Sequence, residues 1–351
     1  MKNAAQNIAS ALYSRSDDIV EEVVGTVGTQ HDDLMRYFEL GPDTLRDHCR
    51  NHLAYLAEAI RVDDQAIYSS YVKWETTVLL RRQLPIAVVR GNLLGIRDAI
   101  LKFLRPEMRG KIVAYLATSI HMMDEPRELA ADRLPPETPL LPLAREYLGE
   151  LLTGDRRRAR SLILQALEGG MDVRDAYLGV LQPVQREVGR LWEINAISVA
   201  QEHYCTAVTQ LVVSQLYPEI MAGPKNGLVL VASCVGRELH ELGLRMVADF
   251  FELDGWDTRF FGANMPVDQV ISALVDAEAD VLAVSTTMLA HIESVRRLIS
   301  DARDRCQKEL RILVGGFPFN QLPDLWESVG ADATASDARE AVEVVDRLFS
   351  R

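Results

Sequence analysis

The sequence predicts a multidomain α and α/β protein: an all-α front portion, a four-helix bundle, and a doubly wound parallel sheet. Three observations carry this. From 227 to 351, apolar β-branched runs alternate with stretches of helical spacing, the pattern of a sheet flanked by helices. From 1 to 124 no run has strand character, and apolar residues recur at helical intervals. Between the two helical regions, prolines crowd the chain at Pro135, Pro136, Pro139 and Pro142, which bars a helix and favours a stiff extended segment. The predicted divisions are 1–124, the linker 125–142, the bundle 143–222, and the sheet domain 227–351.

In the front portion, helices are expected at 43–60, 63–82, 85–103 and 106–123, the last opened by Pro106 near its N-terminus. The bundle reads as 143–152, 155–167 (ended by Gly169-Gly170), 173–191 with Pro183 as an internal kink, and 201–216. Strands are expected at 228–233, 257–261, 281–285 and 311–314, with a short fifth near 332–334 and a closing helix at 338–349. The segment Gly262-Ala263-Asn264-Met265-Pro266 reads as a loop after the second strand.

Composition narrows the function classes. A net charge of −13 and a pI near 5.1 disfavour direct binding to nucleic acid or anionic membrane, which needs clustered Lys and Arg. The one short basic cluster, Arg156-Arg157-Arg158 with Arg160, reads as a solvated helix face. Cys49, Cys205, Cys234 and Cys306 have no metal-binding or disulfide spacing, so a reducing cytoplasm is expected. No signal peptide and no long apolar run appear, so no membrane partner is expected.

The loop after the first strand holds the chemistry. Glu238-x-His240-x-x-Gly243 puts one imidazole at the carboxyl end of a parallel strand, where open α/β sheets bind ligands. A carboxylate two residues away can hold one ring nitrogen and raise the basicity of the other. Gly243 allows close approach to the backbone. Further on, Ser285-Thr286-Thr287 is followed by 27 residues and then Gly315-Gly316.

Together these residues resemble the signature of cobalamin-binding, Rossmann-like domains: Asp-x-His-x-x-Gly, then Ser-x-Leu, a gap of about that length, and Gly-Gly. The resemblance runs from Gly227 to Arg351 and includes Gly330-Ala331-Asp332-Ala333. It implies that His240 is the lower ligand of cobalt. It also implies that Glu238, Gly243, Ser285, Thr287, Gly315 and Gly316 surround the cofactor, the hydroxyls of Ser285, Thr286 and Thr287 serving its nucleotide tail. Two positions depart, Glu238 for Asp and Thr287 for Leu; the longer arm of Glu238 predicts a looser bond to His240.

In the bundle, Trp192 is followed by nine residues and then Glu202-His203. This resembles the cap of CarH-type cobalamin photoreceptors. There Trp192 would offer a flat surface over the upper ligand, Glu202 and His203 would bond an adenosyl group, and Val199 would shape the pocket. Glu193 stands where that type carries a His, which excludes a second cobalt–imidazole bond from this position.

Three features mark the front portion. His48 and His52, four apart, share a helix face and read first as surface histidines; the spacing would also suit half of a metal site, but no third ligand is apparent in the sequence. His121 lies at a helix end, where a haem ligand would have to face inward. Tyr68, Tyr71 and Trp74 form an aromatic stripe followed by Arg81 and Arg82. That stripe suits a core, and Tyr71, Trp74 and Arg81 also suit a flat chromophore bearing propionates. The front portion is similar in pattern to globin-like sensor domains. The whole order resembles the photocobilin group, which pairs such a domain with a CarH-like module and binds cobalamin and a bilin. That resemblance implies adenosylcobalamin, biliverdin held without a covalent link (Cys49 being the lone thiol there), a homo-oligomer, and a separate protein partner. The expected function is a light-driven switch and not an enzyme; the rival expectation is a corrinoid methyl carrier serving a methyltransferase, with a dark cobalamin or haem sensor behind it.

Overall fold

A computed structural model describes residues 2–30, 42–124, 134 and 138–349. The chain divides into two compact units, Met1–Ala130 with Glu193–Asn195, and Ala131–Trp192 with Ala196–Arg351. Most of the linker expected at 125–142 lies outside the described residues. Its described end already enters a helix at Leu141, with Pro142 in the first turn, where its missing N–H breaks no bond.

The first unit is helical throughout its described residues: α1 (Lys2–Ser14), α2 (Ser16–Gln30), α3 (Pro42–Arg61), α4 (Gln65–Arg81), α5 (Ile86–Phe103) and α6 (Pro106–Met122). The four later helices lie close to their expected bounds. The first two were not individually anticipated; Ser16-Asp17-Asp18, with two acids in the first turn, is the N-terminal signal that identifies α2. Asp64 caps α4 by accepting from the Ala66 N–H at 2.8 Å. Leu12, Ile19, Leu45, Leu53, Leu56, Tyr68 and Ile96 close one core.

The second unit begins with the helical cap: α7 (Leu141–Thr153), α8 (Arg156–Glu168), α9 (Val173–Ala176), a π-helical turn (Tyr177–Leu181), α10 (Gln182–Glu193), α11 (Val199–Ser214) and α12 (Tyr217–Ile220). Asp155 caps α8 through the amides of Arg157 and Arg158, and Arg156, Arg157, Arg158 and Arg160 are exposed. The kink expected at Pro183 is instead a widened π turn just before it, a way of accommodating an interior residue with no N–H to donate. A capping box between Ser198 and Gln201 starts α11.

The sheet follows: β1 (Val229–Val235), α13 (Leu242–Leu253), β2 (Asp257–Met265), α14 (Val267–Asp276), β3 (Val281–Ser285), a 3-10 turn (Leu289–His291), α15 (Ile292–Arg305), β4 (Arg311–Gly315), α16 (Phe317–Gln321), α17 (Leu325–Ser328), β5 (Ala333–Ala335) and α18 (Ala338–Phe349). All strands are parallel in the order β2-β1-β3-β4-β5. The register pairs Leu230 with Thr258 and Val281, and Val281 with Arg311. The expected loop at 262–266 is mostly strand: β2 runs to Met265, with register shifts against β1 where Gly262 and Asn264 take positive φ.

Cap and sheet share a single core. Tyr147, Tyr177, Val184 and Val213 from the cap belong to the same buried cluster as Leu230, Phe250, Phe251, Trp256 and Val281. Polar contacts join them too: the Tyr177 hydroxyl donates to Asp249 Oδ2 on α13 at 2.6 Å. Asp249 is 3% exposed, and burial pushes its carboxyl up to about 6. A raised folded-state value means the folded chain holds this proton more tightly than the unfolded one. The stabilisation is therefore complete below the ordinary aspartate value of 3.8 and is lost as pH rises through about 6. Asp249→Asn should remove that loss. It should stabilise the second unit by up to about 3 kcal/mol at neutral pH and flatten its melting temperature between the two values. Calorimetry across this range checks it; parallel pH profiles for the two proteins would refute the assignment.

Candidate functional site

In a sheet of this order, the connections leave β1 and β3 toward opposite faces. A crevice therefore opens at the carboxyl ends of these two neighbouring strands. Cys234 and Ser285 are paired across it. The two loops bordering it are 236–241 after β1 and 286–291 after β3.

The first loop is tied to the end of β2. Asn264 accepts from the Arg237 N–H at 2.7 Å and donates its own N–H to the Glu238 carbonyl at 2.9 Å. The Ala263 N–H donates to Glu241 Oε2 at 2.8 Å. These bonds turn Glu238 inward, where it is fully buried. Its carboxylate then joins both loops. Oε1 accepts from the His240 N–H at 3.0 Å and faces His240 Nδ1 at 2.6 Å. Oε2 accepts from the backbone N–H groups of Thr287 at 2.7 Å and Met288 at 3.3 Å, and faces His291 Nδ1 at 3.0 Å. Thr286 Oγ1 lies 2.8 Å from the same oxygen and 3.0 Å from the Met288 carbonyl, so its one proton is shared.

Burial works against ionising Glu238, but the hydrogen bonds from His240 and His291 outweigh it and hold the carboxyl well below the usual glutamate range. The same carboxylate raises the proton affinity of His240, against the effect of burial. A carboxylate can only accept, so His240 Nδ1 carries the hydrogen. Nε2 is left with its lone pair, on a side chain 60% exposed. That is a prepared imidazole ligand: oriented, made more basic by its partner, and reachable. The bond expected to be loose is short, at 2.6 Å.

Cys234 is no rival for this chemistry. Burial, then Glu238 and Glu241, push its thiol up to about 12, so it stays protonated.

The Gly-Gly pair closes the far wall. Thr286 donates its N–H to the Gly315 carbonyl at 3.2 Å. Gly316 sits at φ 102°, and a Cβ there would lie 2.0 Å from the Thr286 carbonyl oxygen, so only glycine fits. Ser285 and Thr287 are half-buried beside it and Gly243 is exposed with open space around its Cα. The Thr286 hydroxyl, expected to serve a ligand, is instead taken up by Glu238 and Met288.

The cap reaches this crevice through α11. Gln210 donates to Glu241 Oε1 at 3.2 Å, and the Glu202 carboxylate is near enough to favour a proton on His240. Val199 is exposed, and His203, 75% exposed, pairs with Glu202 at 2.7 Å. Trp192 is half-buried against the shared core, and Glu193 is buried.

In the first unit the chromophore candidates are partly engaged. Tyr71 is buried, stacked on Tyr55 with ring centres 3.9 Å apart, and its hydroxyl donates to Glu75. Trp74 packs at the core's edge and Arg81 is exposed. Cys49 is buried, and His121 is exposed rather than facing inward. Sequence reasoning missed His291 and the part played by Thr286; His291 stands 53 positions from Glu238, and no local spacing announces it.

Comparison with known proteins bears on the cofactor. Residues 228–346 match a family model described as B12 binding domain, and residues 143–217 match a second model with the same description. Dimethylamine corrinoid protein 1 of Methanosarcina acetivorans is 24% identical over 215 residues, 59% of this chain and 98% of that protein. The HTH-type transcriptional repressor CarA of Myxococcus xanthus is 28% identical over 186 residues, 53% of this chain and 62% of that protein. The structure of the Methanosarcina barkeri monomethylamine corrinoid protein superposes with a TM-score of 0.53 at 20% identity, over 60% of this chain and 99% of that one, a likeness of fold. The matches support cobalamin as the cofactor of the second unit. No helix among the described residues is long and apolar enough to cross a membrane.

Proposed function

We propose that this chain is a cobalamin-dependent photoreceptor, with His240 as lower cobalt ligand and Trp192, Val199, Glu202 and His203 lining the upper side. The observation that carries the reading is an exposed, carboxylate-held imidazole on the sheet, in a loop that the cap helix bearing Glu202 and His203 reaches through the Gln210–Glu241 bond. The donor set fits the cofactor: a neutral imidazole nitrogen suits a first-row transition-metal centre such as cobalt, and the glycine-only turn at Gly316 keeps side chains out of the space beside the crevice. Bound adenosylcobalamin supplies a cobalt–carbon bond that light can break. The protein's part is positional. Glu238 fixes the His240 ring; Ser285, Thr287 and Gly315 border the path of a nucleotide tail; Glu202 and His203 offer an acceptor and a donor to an upper ligand. Were that ligand lost, Glu202 and His203 would lose its contacts, and the N-terminal turn of α11 would be freed while its buried face stays in the core.

The helical first unit, expected to be globin-like, supports a signalling role, since the corrinoid relative is matched over 98% of its own length by only 59% of this chain. Biliverdin against that unit, a light-dependent homo-oligomer and a separate protein partner belong to the same reading. The second reading, a corrinoid methyl carrier, is favoured by the dimethylamine corrinoid proteins among the relatives.

The test is to load the chain with adenosylcobalamin and biliverdin, then record absorption spectra and elution volumes in the dark and after green light. The photoreceptor reading expects bleaching of the adenosyl form together with a changed elution volume, and a long-wavelength band that survives desalting. Photolysis at the rate of free cofactor with no change in size would leave the methyl carrier as the better account.

A further inference from the structure

The first unit holds a second cluster of ligating side chains, independent of the cobalamin reading. Helix α3 presents His48 and His52 on one face, four residues apart, and the neighbouring α4 presents Glu75 to both. Glu75 Oε1 lies 3.0 Å from His48 Nδ1, and Oε2 lies 2.7 Å from His52 Nε2. The ligating atoms of the three all fall within 4.8 Å of one another. His52 is fully buried, Glu75 nearly so, and His48 is 10% exposed.

A carboxylate at this depth needs a countercharge. Among the described residues, Glu75 has no lysine or arginine as ion-pair partner, only these imidazoles. Burial, the dominant effect on His52, lowers its proton affinity and favours the neutral, ligand-competent ring. His52 Nδ1 meets the Tyr68 hydroxyl at 3.2 Å, an outer partner that fixes the ring and can leave Nε2 as the ligating nitrogen. The Tyr71 hydroxyl donates to Glu75 Oε1 at 3.2 Å and orients the carboxylate. His52 Nε2 and Glu75 Oε2 are both buried and meet each other at 2.7 Å, with no further polar partner for either atom.

The geometry points to a divalent transition-metal site in the first unit, with His48 Nδ1, His52 Nε2 and Glu75 as ligands and zinc as the ion of best fit. Two imidazoles and one carboxylate form a known zinc donor set, leaving a fourth position for water on the His48 side. Ligand atoms on one tetrahedral zinc stand about 3–3.5 Å apart. Binding therefore opens the two Glu75 contacts by a few tenths of an ångström and draws the imidazoles together. The stripe of Tyr68, Tyr71 and Trp74 then acts first as the wall of this site: Tyr68 and Tyr71 each spend a hydroxyl on it.

The experiment uses the full chain, stripped of metal with a chelator and free of cobalamin. It is titrated with Zn²⁺ against a chromophoric competitor, and bound zinc is counted by atomic emission. One zinc per chain is expected, with affinity lowered by at least about 100-fold in His48→Gln, since a direct ligand should matter no less than an outer-shell partner. Zinc should also raise the melting temperature of the unmodified chain. His48 is the member nearest solvent, so its variant is the least prone to unfold. Zinc K-edge absorption of the unmodified chain gives a reading that needs no variant, and imidazole scattering is expected in the first shell. Affinity unchanged by His48→Gln, substoichiometric zinc, or a first shell without imidazole would each overturn the site.

Discussion

His240→Ala should weaken cobalamin binding by at least about 100-fold, or about 2.7 kcal/mol, while leaving the fold intact. The ring is 60% exposed, so little packing is lost. Glu238 keeps its other donors from His240 N–H, Thr286, Thr287, Met288 and His291, so the buried carboxylate remains satisfied. The cobalamin that still binds should give the spectrum of a cofactor lacking a protein nitrogen below cobalt. Titration by absorbance reads both effects. Binding within about threefold of the unmodified chain, where the loss is below roughly 0.7 kcal/mol, would remove His240 from the role.

Glu238→Ala should do more damage, and of a different kind. It strips the acceptor from the Thr287 and Met288 amides and the His291 ring at once, and leaves the Thr286 hydroxyl only the Met288 carbonyl, around a position that is fully buried. Orphaning a set of buried donors of this size costs roughly 3–5 kcal/mol, enough to imperil the second unit. Glu238→Gln, of equal volume, should cost less but still lower cobalamin affinity by about 10–100-fold, because it no longer charges the bond to His240. Denaturant unfolding separates the two variants from His240→Ala. Equal stability of Glu238→Ala and the unmodified chain would contradict the hydrogen-bond account. The pH dependence follows with its sign. The folded-state pKa of Glu238 is depressed, so its stabilisation is complete above the ordinary glutamate value and is lost as pH falls below it. This runs opposite to Asp249, and each variant removes only its own slope.

The sheet was legible where its strands announce themselves. Val229–Val235 and Val281–Ser285 are β-branched runs buried almost throughout, and such runs have few other uses in a chain of this kind. Glu238 and His240 were legible because both lie in one loop at fixed spacing. His291 and Thr286 were not, since they reach Glu238 only once β1 and β3 are neighbours, and pairing order is a property of the whole sheet. The same holds for Glu75: the His48–His52 spacing is local, but their carboxylate arrives from the next helix. The end of β2 was misread as loop because Gly262 and Asn264 look like turn residues, whereas here their positive φ values bulge a strand. The π turn before Pro183 leaves no trace in composition beyond the proline itself.

The continuous core beneath the cap limits how the cap can move over the crevice. A cap joined to the sheet by a thin neck could swing as a rigid lid. Here Tyr147, Tyr177, Val184 and Val213 interdigitate with Phe250, Phe251 and Trp256, so hinge opening would bare apolar surface at about 25 cal/mol per Å². What remains inexpensive is shear, the sliding of packed helices over one another by fractions of a side chain. The motion open to the cap is therefore a small displacement of α11 over a surface that stays closed, and the second unit should melt in a single cooperative transition.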